Sequence, residues 1–277
     1  MDDTPNILLV TLDSCRWDTF RAAQTPNLDS LCLTRKAYAQ ATFTYAAHMA
    51  MYQGHLPSTR EKINFYNRFV MPLFRIANTQ AEVTSYITFP KNTRTIIHGF
   101  RSLGFYALGL GATGWFRHPD LNSPFDEFEL TGIHADRQVE IVKSKLGILR
   151  SRAFFALVNM GETHDPYEFG GSIYYDGVSR ARAASSRIAH MEFDEVNWLK
   201  QVKACEFLDA KIGEIVSHLR ALERGTIVVI CGDHGECFGE DGMHGHGFYH
   251  PKVMEVPLGV FEINCQFLKG VLPQVSV

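Results

Sequence analysis

The 277-residue chain has no run of 18 apolar residues, roughly the length a helix needs to cross a bilayer. Its first residues, Met1-Asp2-Asp3-Thr4-Pro5, carry no basic segment followed by an apolar one. Neither a membrane span nor a signal peptide is expected. Charge of one sign is scarce as well: 27 Lys and Arg stand against 30 Asp and Glu, a net of −3. That leaves no electrostatic footprint for nucleic acid or an anionic membrane surface. Cysteines are few, and Cys15, Cys32, Cys205, Cys231, Cys237 and Cys265 follow no zinc-ribbon spacing. Several lie in apolar runs, as reduced, buried thiols do, so the cytoplasm is the expected compartment. There is no internal repeat and no low-complexity segment. What remains, 45% hydrophobic and 21% charged, is ordinary for a soluble globular enzyme. The length suits a single domain over residues 1–277 with a sizeable core.

Apolar, β-branched runs supply the framework. Asn6–Leu12, Phe105–Leu110, Ala153–Met160, Thr226–Cys231 and Val256–Phe261 read as strands. Helical spacing covers Thr93–Leu103, Ala135–Leu149 and Leu199–Leu222, and Thr25–Leu31 has Pro26 in its first turn. Ala41–Pro57 enters a helix that Gly54 terminates and Pro57 keeps from resuming. Residues 60–92, aromatic-rich without a clear period, and residues 170–197 are candidate lid or excursion segments. The alternation predicts an α/β fold: a doubly wound, mostly parallel sheet with helices on both faces.

Polar residues follow these strands in a pattern. Asp13 ends the first, His164 and Asp165 follow Ala153–Met160, and Asp233 and His234 follow Thr226–Cys231. His246 lies between Gly245 and Gly247, and Thr44 opens a helix. In a doubly wound sheet such positions converge on one edge, outside the carboxyl ends of the strands. Carboxylates and imidazoles gathered there suit a divalent metal. Taken singly, Asp13 also fits a cap for the next helix, and Thr42 or Thr44 fits a helix cap.

Together these pieces resemble the alkaline phosphatase superfamily in its sulfatase-like hydrolase/transferase branch. The resemblance rests on Asn6–Asp13, Thr25-Pro26-Asn27-Leu28, Thr44-Tyr45-Ala46-Ala47-His48 with Gly54 and Pro57, and His164-Asp165-Pro166-Tyr167. The helix around Asp209 and the block from Gly232-Asp233-His234-Gly235-Glu236 to Val256-Pro257-Leu258 complete it, in family order over nearly the whole chain. It implies a metal-dependent hydrolase of phosphate esters or phosphonates, or a phosphoryl-group transferase. By position, Asp13, Asp233 and His234 would hold a divalent metal, zinc or manganese before calcium, with Thr44 as the metal-activated nucleophile. His246 and His164 would contact the transferred group or a second ion, with His48 and Arg16 as further substrate contacts. The partner implied is a small-molecule phosphoester, phosphonate or sulfate ester.

The chain departs from the sulfatase pattern at several points. Position 44 is Thr, without the Cys or Ser that becomes formylglycine, and Ala46 and Ala47 replace Pro and Ser. The paired acids of sulfatases are reduced to Asp13-Ser14, and His48 stands where Arg is usual. No counterpart of the C-terminal sulfatase subdomain is expected. A sulfatase and a non-catalytic binding relative are therefore the alternatives to a Thr-nucleophile phosphoesterase.

Overall fold

The computed structural model describes residues 4–54, 76–77, 89–90, 94–146, 152–167, 169 and 193–268. The candidate lids fall largely outside them: of 60–92 only the short paired strands β3 (Ile76–Ala77) and β4 (Phe89–Pro90) are described, and of 170–197 only 193–197.

The main sheet has seven strands: β1 (Asn6–Leu12), β2 (Arg35–Tyr38), β5 (Tyr106–Gly111), β6 (Glu127–Leu130), β7 (Phe154–Met160), β8 (Thr226–Gly232) and β11 (Glu255–Ile263), in the order β2-β11-β8-β1-β7-β5-β6. β8, β1, β7, β5 and β6 run parallel, while β11 is antiparallel to both of its neighbours. The predicted mostly parallel sheet is therefore present. The sequence reading omitted β2 and β6, which are four-residue edge strands carrying Arg35, Lys36, Glu127 and Glu129. Strands this short and charged show no hydrophobic period, and charge on an edge discourages further pairing.

Helices cover both faces. α1 (Trp17–Ala22), α2 (Pro26–Asp29), α6 (Ala135–Leu146) and the 26-residue α7 (Glu195–Arg220) pack one side. There Leu8, Val10 and Leu12 of β1 meet Phe20, Leu28, Val139 and Leu208. The other side carries α3 (Thr44–Gln53), α4 (Ile96–Ser102) and α5 (Pro119–Asn122), whose Tyr52, Ile97 and Leu121 pack with Phe155 and Leu157 of β7. Alternate residues of the central strands thus enter two cores, and burial on both faces is why their sequences are apolar throughout. The Thr25-Pro26-Asn27-Leu28 segment has a structural explanation in Asp209. Its carboxylate accepts Asn27 N and Nδ2 at 3.0 and 2.8 Å and Leu28 N at 2.9 Å, fastening α2 to α7. No helix among the described residues is long and apolar enough to cross a membrane.

Candidate metal and active site

Register places the candidate ligands. β1 and β8 are parallel neighbours with Leu12 opposite Gly232, so Asp13 and Asp233 leave the sheet side by side. β7 lies on the other side of β1 with Met160 opposite Leu12, which brings the His164 loop to the same edge. Asp13 N donates to Met160 O at 2.9 Å, and the Thr163 hydroxyl donates to Asp13 O at 2.7 Å. Asp13 does not cap a helix, because the residue preceding α1 is Arg16.

Asp13, Asp233 and His234 form one buried group, with a ligand atom of each within 4.8 Å of the others. Asp233 Oδ1 accepts Ser14 N at 3.1 Å and His234 N at 2.8 Å. Its Oδ2 is buried and has no hydrogen-bond partner among the described residues. Burial raises the Asp233 carboxyl from the usual carboxylate range to about 7. A buried acid with one oxygen oriented by two amides and the other without a hydrogen bond, its nearest ring nitrogens 3.7 Å away, is what a cation would complete. Two carboxylates and an imidazole make an oxygen–nitrogen donor set suited to a divalent ion, so the residues fit the metal. His234 Nδ1 lies 2.9 Å from Gly235 O. A carbonyl can only accept, so the proton is on Nδ1 and the Nε2 lone pair faces the site.

Thr44 Oγ1 lies 3.4 and 3.3 Å from the two Asp13 oxygens and 3.3 Å from His234 Nε2. It is the first residue of α3, follows an extended Phe43, and the start of the helix has no side-chain cap. The hydroxyl is thus directed at the ligand cluster and does not serve as a cap. Gly54, at φ 64°, ends the helix in the left-handed region as expected.

His246 joins the group, its ring 4.5 Å from that of His234 and 5.3 Å from that of His164, centroid to centroid. Gly245 and Gly247 have φ of 82° and 94°, which explains the glycines on either side. His164 Nδ1 lies 2.8 Å from Asp165 O, which again leaves Nε2 as the presented atom.

The two remaining candidates border this group, His48 with Nδ1 3.7 Å from Asp233 Oδ2. His48 is buried beneath Thr44, with Nδ1 2.9 Å from Thr44 O and Nε2 3.1 Å from Thr11 Oγ1. Burial lowers its pKa to about 4. Arg16 pairs with Asp18 through Nε at 2.8 Å and Nη2 at 2.6 Å, pairs with Glu240 through Nη1 at 2.7 Å, and covers the Phe238 ring. Both have internal partners: His48 ties the first turn of α3 to β1, and Arg16 ties the loop after β1 to the segment around Glu240.

Two residues at the site escaped the sequence reading. Asn159 on β7 donates from Nδ2 to Thr11 Oγ1 at 3.1 Å and to Asp13 Oδ2 at 3.4 Å, while its Oδ1 accepts Ala112 N at 3.1 Å. Gln201 on α7 donates from Nε2 to Ser14 O at 2.9 Å and to Thr163 O at 2.8 Å, joining the loops after β1 and β7. For Asn159 the signal was an amide inside an otherwise apolar strand. Gln201 lies on a mixed helix and gave none.

No protein-family model and no curated protein matches the chain. Solved structures do. A protein of the alkaline phosphatase superfamily from Vibrio parahaemolyticus superposes with a TM-score of 0.59 at 16% identity, over 96% of this chain and 62% of that one. A putative sulfatase from Bacteroides thetaiotaomicron gives 0.63 at 14% identity, covering 93% of this chain and 64% of its own. The C-terminal periplasmic domain of EptC from Escherichia coli, in complex with zinc, gives 0.62 at 10% identity, covering 100% and 77%. The chain thus spans less than two thirds of two of these relatives. At such identities the likeness establishes the fold.

Proposed function

We propose that this chain, which has the fold of the alkaline phosphatase superfamily, is a divalent-metal-dependent hydrolase of phosphate esters or phosphonates, or a phosphoryl-group transferase, with Thr44 as nucleophile. The observation that carries this reading is the Thr44 hydroxyl, within 3.4 Å of both Asp13 oxygens and of His234 Nε2. A hydroxyl so placed among ligand atoms gains nucleophilicity when the site is filled.

Asp13, Asp233 and His234 would hold the ion, with zinc or manganese matching the donors. When bound, it would lower the pKa of the Thr44 hydroxyl and neutralise charge on the transferred group. The chain's own residues do the rest. The Thr44 hydroxyl loses its proton as Oγ1 bonds to phosphorus, and Asp13 is the adjacent acceptor. The bond from phosphorus to the leaving oxygen breaks, and that oxygen takes a proton. His164 and His246 flank the site, and in the imidazolium form, with both ring nitrogens protonated, they would bind the transferred group and supply that proton. Water or a second hydroxyl then releases the phosphoryl group from Thr44. A site for a second ion at His164 and His246 belongs to the same proposal. So does a cytoplasmic location, which the six unbonded thiols support.

The test combines elemental analysis of the purified protein with turnover of chromogenic phosphate mono- and diesters, phosphonates and aryl sulfates. One or two equivalents of zinc or manganese are expected. Thr44→Ala is expected to keep that metal and lose turnover. Metal-free protein that cannot be reconstituted would overturn the proposal, as would undiminished turnover in Thr44→Ala.

A further inference from the structure

Two motif residues take no part in the reaction above: Tyr167, from His164-Asp165-Pro166-Tyr167, and Glu236, from Gly232-Asp233-His234-Gly235-Glu236. Both are buried. The Tyr167 hydroxyl donates to Glu236 Oε2 at 2.5 Å, and Glu236 Oε1 lies 3.5 Å from His246 Nδ1, a close approach longer than a formed hydrogen bond. Phenol, carboxylate and imidazole thus form a line that ends at the ring packed against His234.

The backbone is built to keep that line. Strands β9 (Cys237–Phe238) and β10 (His244–Gly245) form an antiparallel ribbon with Gly245 opposite Cys237. One further step along this ladder sets His246 opposite Glu236, so the hairpin fixes which side chain the carboxylate meets. A Cβ on Gly245 would sit 3.8 Å from Glu236 Oε1, so the backbone there lies against the carboxylate. Tyr167 braces the same ribbon, its ring 5.6 Å from that of Phe238. It does so at φ 60°, a left-handed conformation that costs a non-glycine residue of order 1 kcal/mol or more and persists only where the surroundings hold it.

We propose that Tyr167 and Glu236 are positioning residues for His246: the phenol fixes the carboxylate, the carboxylate holds the imidazole proton on Nδ1, and Nε2 is left as the presented atom. A carboxylate behind a working histidine sets both its ring orientation and its tautomer. The kinetic consequence rests on the phosphoryl-transfer reading, whereas the tautomer does not.

The experiment therefore has two arms on the zinc-loaded protein. Long-range proton–nitrogen NMR of the histidine rings, with His246 assigned by its loss in His246→Gln, is expected to show His246 protonated at Nδ1. Glu236→Ala is expected to shift it toward the Nε2-protonated tautomer, with Tyr167→Phe in between. In turnover, Glu236→Ala is expected to lower kcat about 10–100-fold with KM little changed. Glu236→Gln keeps part of the rate because its amide oxygen still accepts from Nδ1. In the His246→Gln background, Glu236→Ala is expected to add no further loss, since residues acting through one another are non-additive. An unchanged His246 tautomer in both Glu236→Ala and Tyr167→Phe would overturn the proposal, as would the full Glu236→Ala cost persisting without His246. A wild type inactive on every probe ester would sink the transfer reading while the NMR arm still decides the positioning role.

Discussion

His48 shows how one buried side chain can hold the first turn of a helix, and with it the Thr44 hydroxyl, in place. Burial holds it neutral, with a pKa near 4, and each ring nitrogen has a partner. Nδ1 donates to the carbonyl of Thr44, and Nε2 accepts from Thr11, whose oxygen in turn accepts from Asn159. The first turn of α3 is thereby tied through the sheet to the amide that contacts Asp13. His48→Leu leaves a buried carbonyl and hydroxyl without these partners, at a cost of about 1–3 kcal/mol. The expected result is a lower Tm and a fall in kcat larger than any change in KM. An equal kcat in the variant, by steady-state kinetics, would show that Thr44 holds its place without this support. At this scale the convergence of Asp13, Thr44, His164, Asp233, His234 and His246 was legible because strand and helix ends of a doubly wound sheet meet at one edge. The direction in which Arg16 and His48 turn was not legible, because sequence does not reveal it. Arg16 turns toward Asp18 and Glu240, and His48 toward the sheet.

Elements meet at the site through α7. Gln201 bonds the carbonyls of Ser14 and Thr163 and accepts the Thr19 hydroxyl at 2.6 Å, so one side chain on that helix joins the loop after β1, α1 and the loop after β7. Gln201→Leu keeps the bulk and removes both donors. Two buried carbonyls then lose their partners, and about 1–3 kcal/mol of stability should go with them. Because these loops carry Asp13 and His164, metal affinity should weaken in the same variant. A titration with zinc read by a metal-chelating dye checks this, and wild-type affinity at reduced Tm would show that the clasp serves stability alone. Elements were legible in proportion to their length. β1, β7, β8, α6 and α7 carry strong periods and were placed to within a few residues, whereas the four-residue β2 and β6 were not read at all. The antiparallel direction of β11 was hidden too, since a buried run of Val and Phe looks the same whichever way it runs.

At the scale of the whole molecule, the candidate metal cluster draws together positions 13 and 233, some 220 residues apart along the chain, at neighbouring central strands. An ion bound only by the folded state therefore stabilises the entire sheet, by about 4 kcal/mol at a thousandfold excess over Kd. Two buried groups give that stabilisation a pH dependence. Asp233 has a folded pKa of about 7 against about 4 in an unfolded chain. In the metal-free protein its contribution is complete below about pH 4 and is lost as pH rises through 7. His48, held near 4 against about 6.5 unfolded, acts in the opposite sense. Its contribution is complete above about 6.5 and is lost as pH falls through 4. Without metal the two slopes oppose each other between about pH 4 and 6.5, so Tm should change little from these groups there. The ion needs Asp233 ionised and must displace its proton, which removes the Asp233 penalty at high pH and competes with the proton at low pH. The Tm gained on adding manganese should therefore be small at pH 5 and increase through pH 7 to a plateau near pH 8. Asp233→Asn, which cannot ionise, should abolish most of the gain at every pH. Thermal unfolding with manganese or with a chelator across this range makes the comparison, and a gain independent of pH would mean that the ion binds away from Asp233.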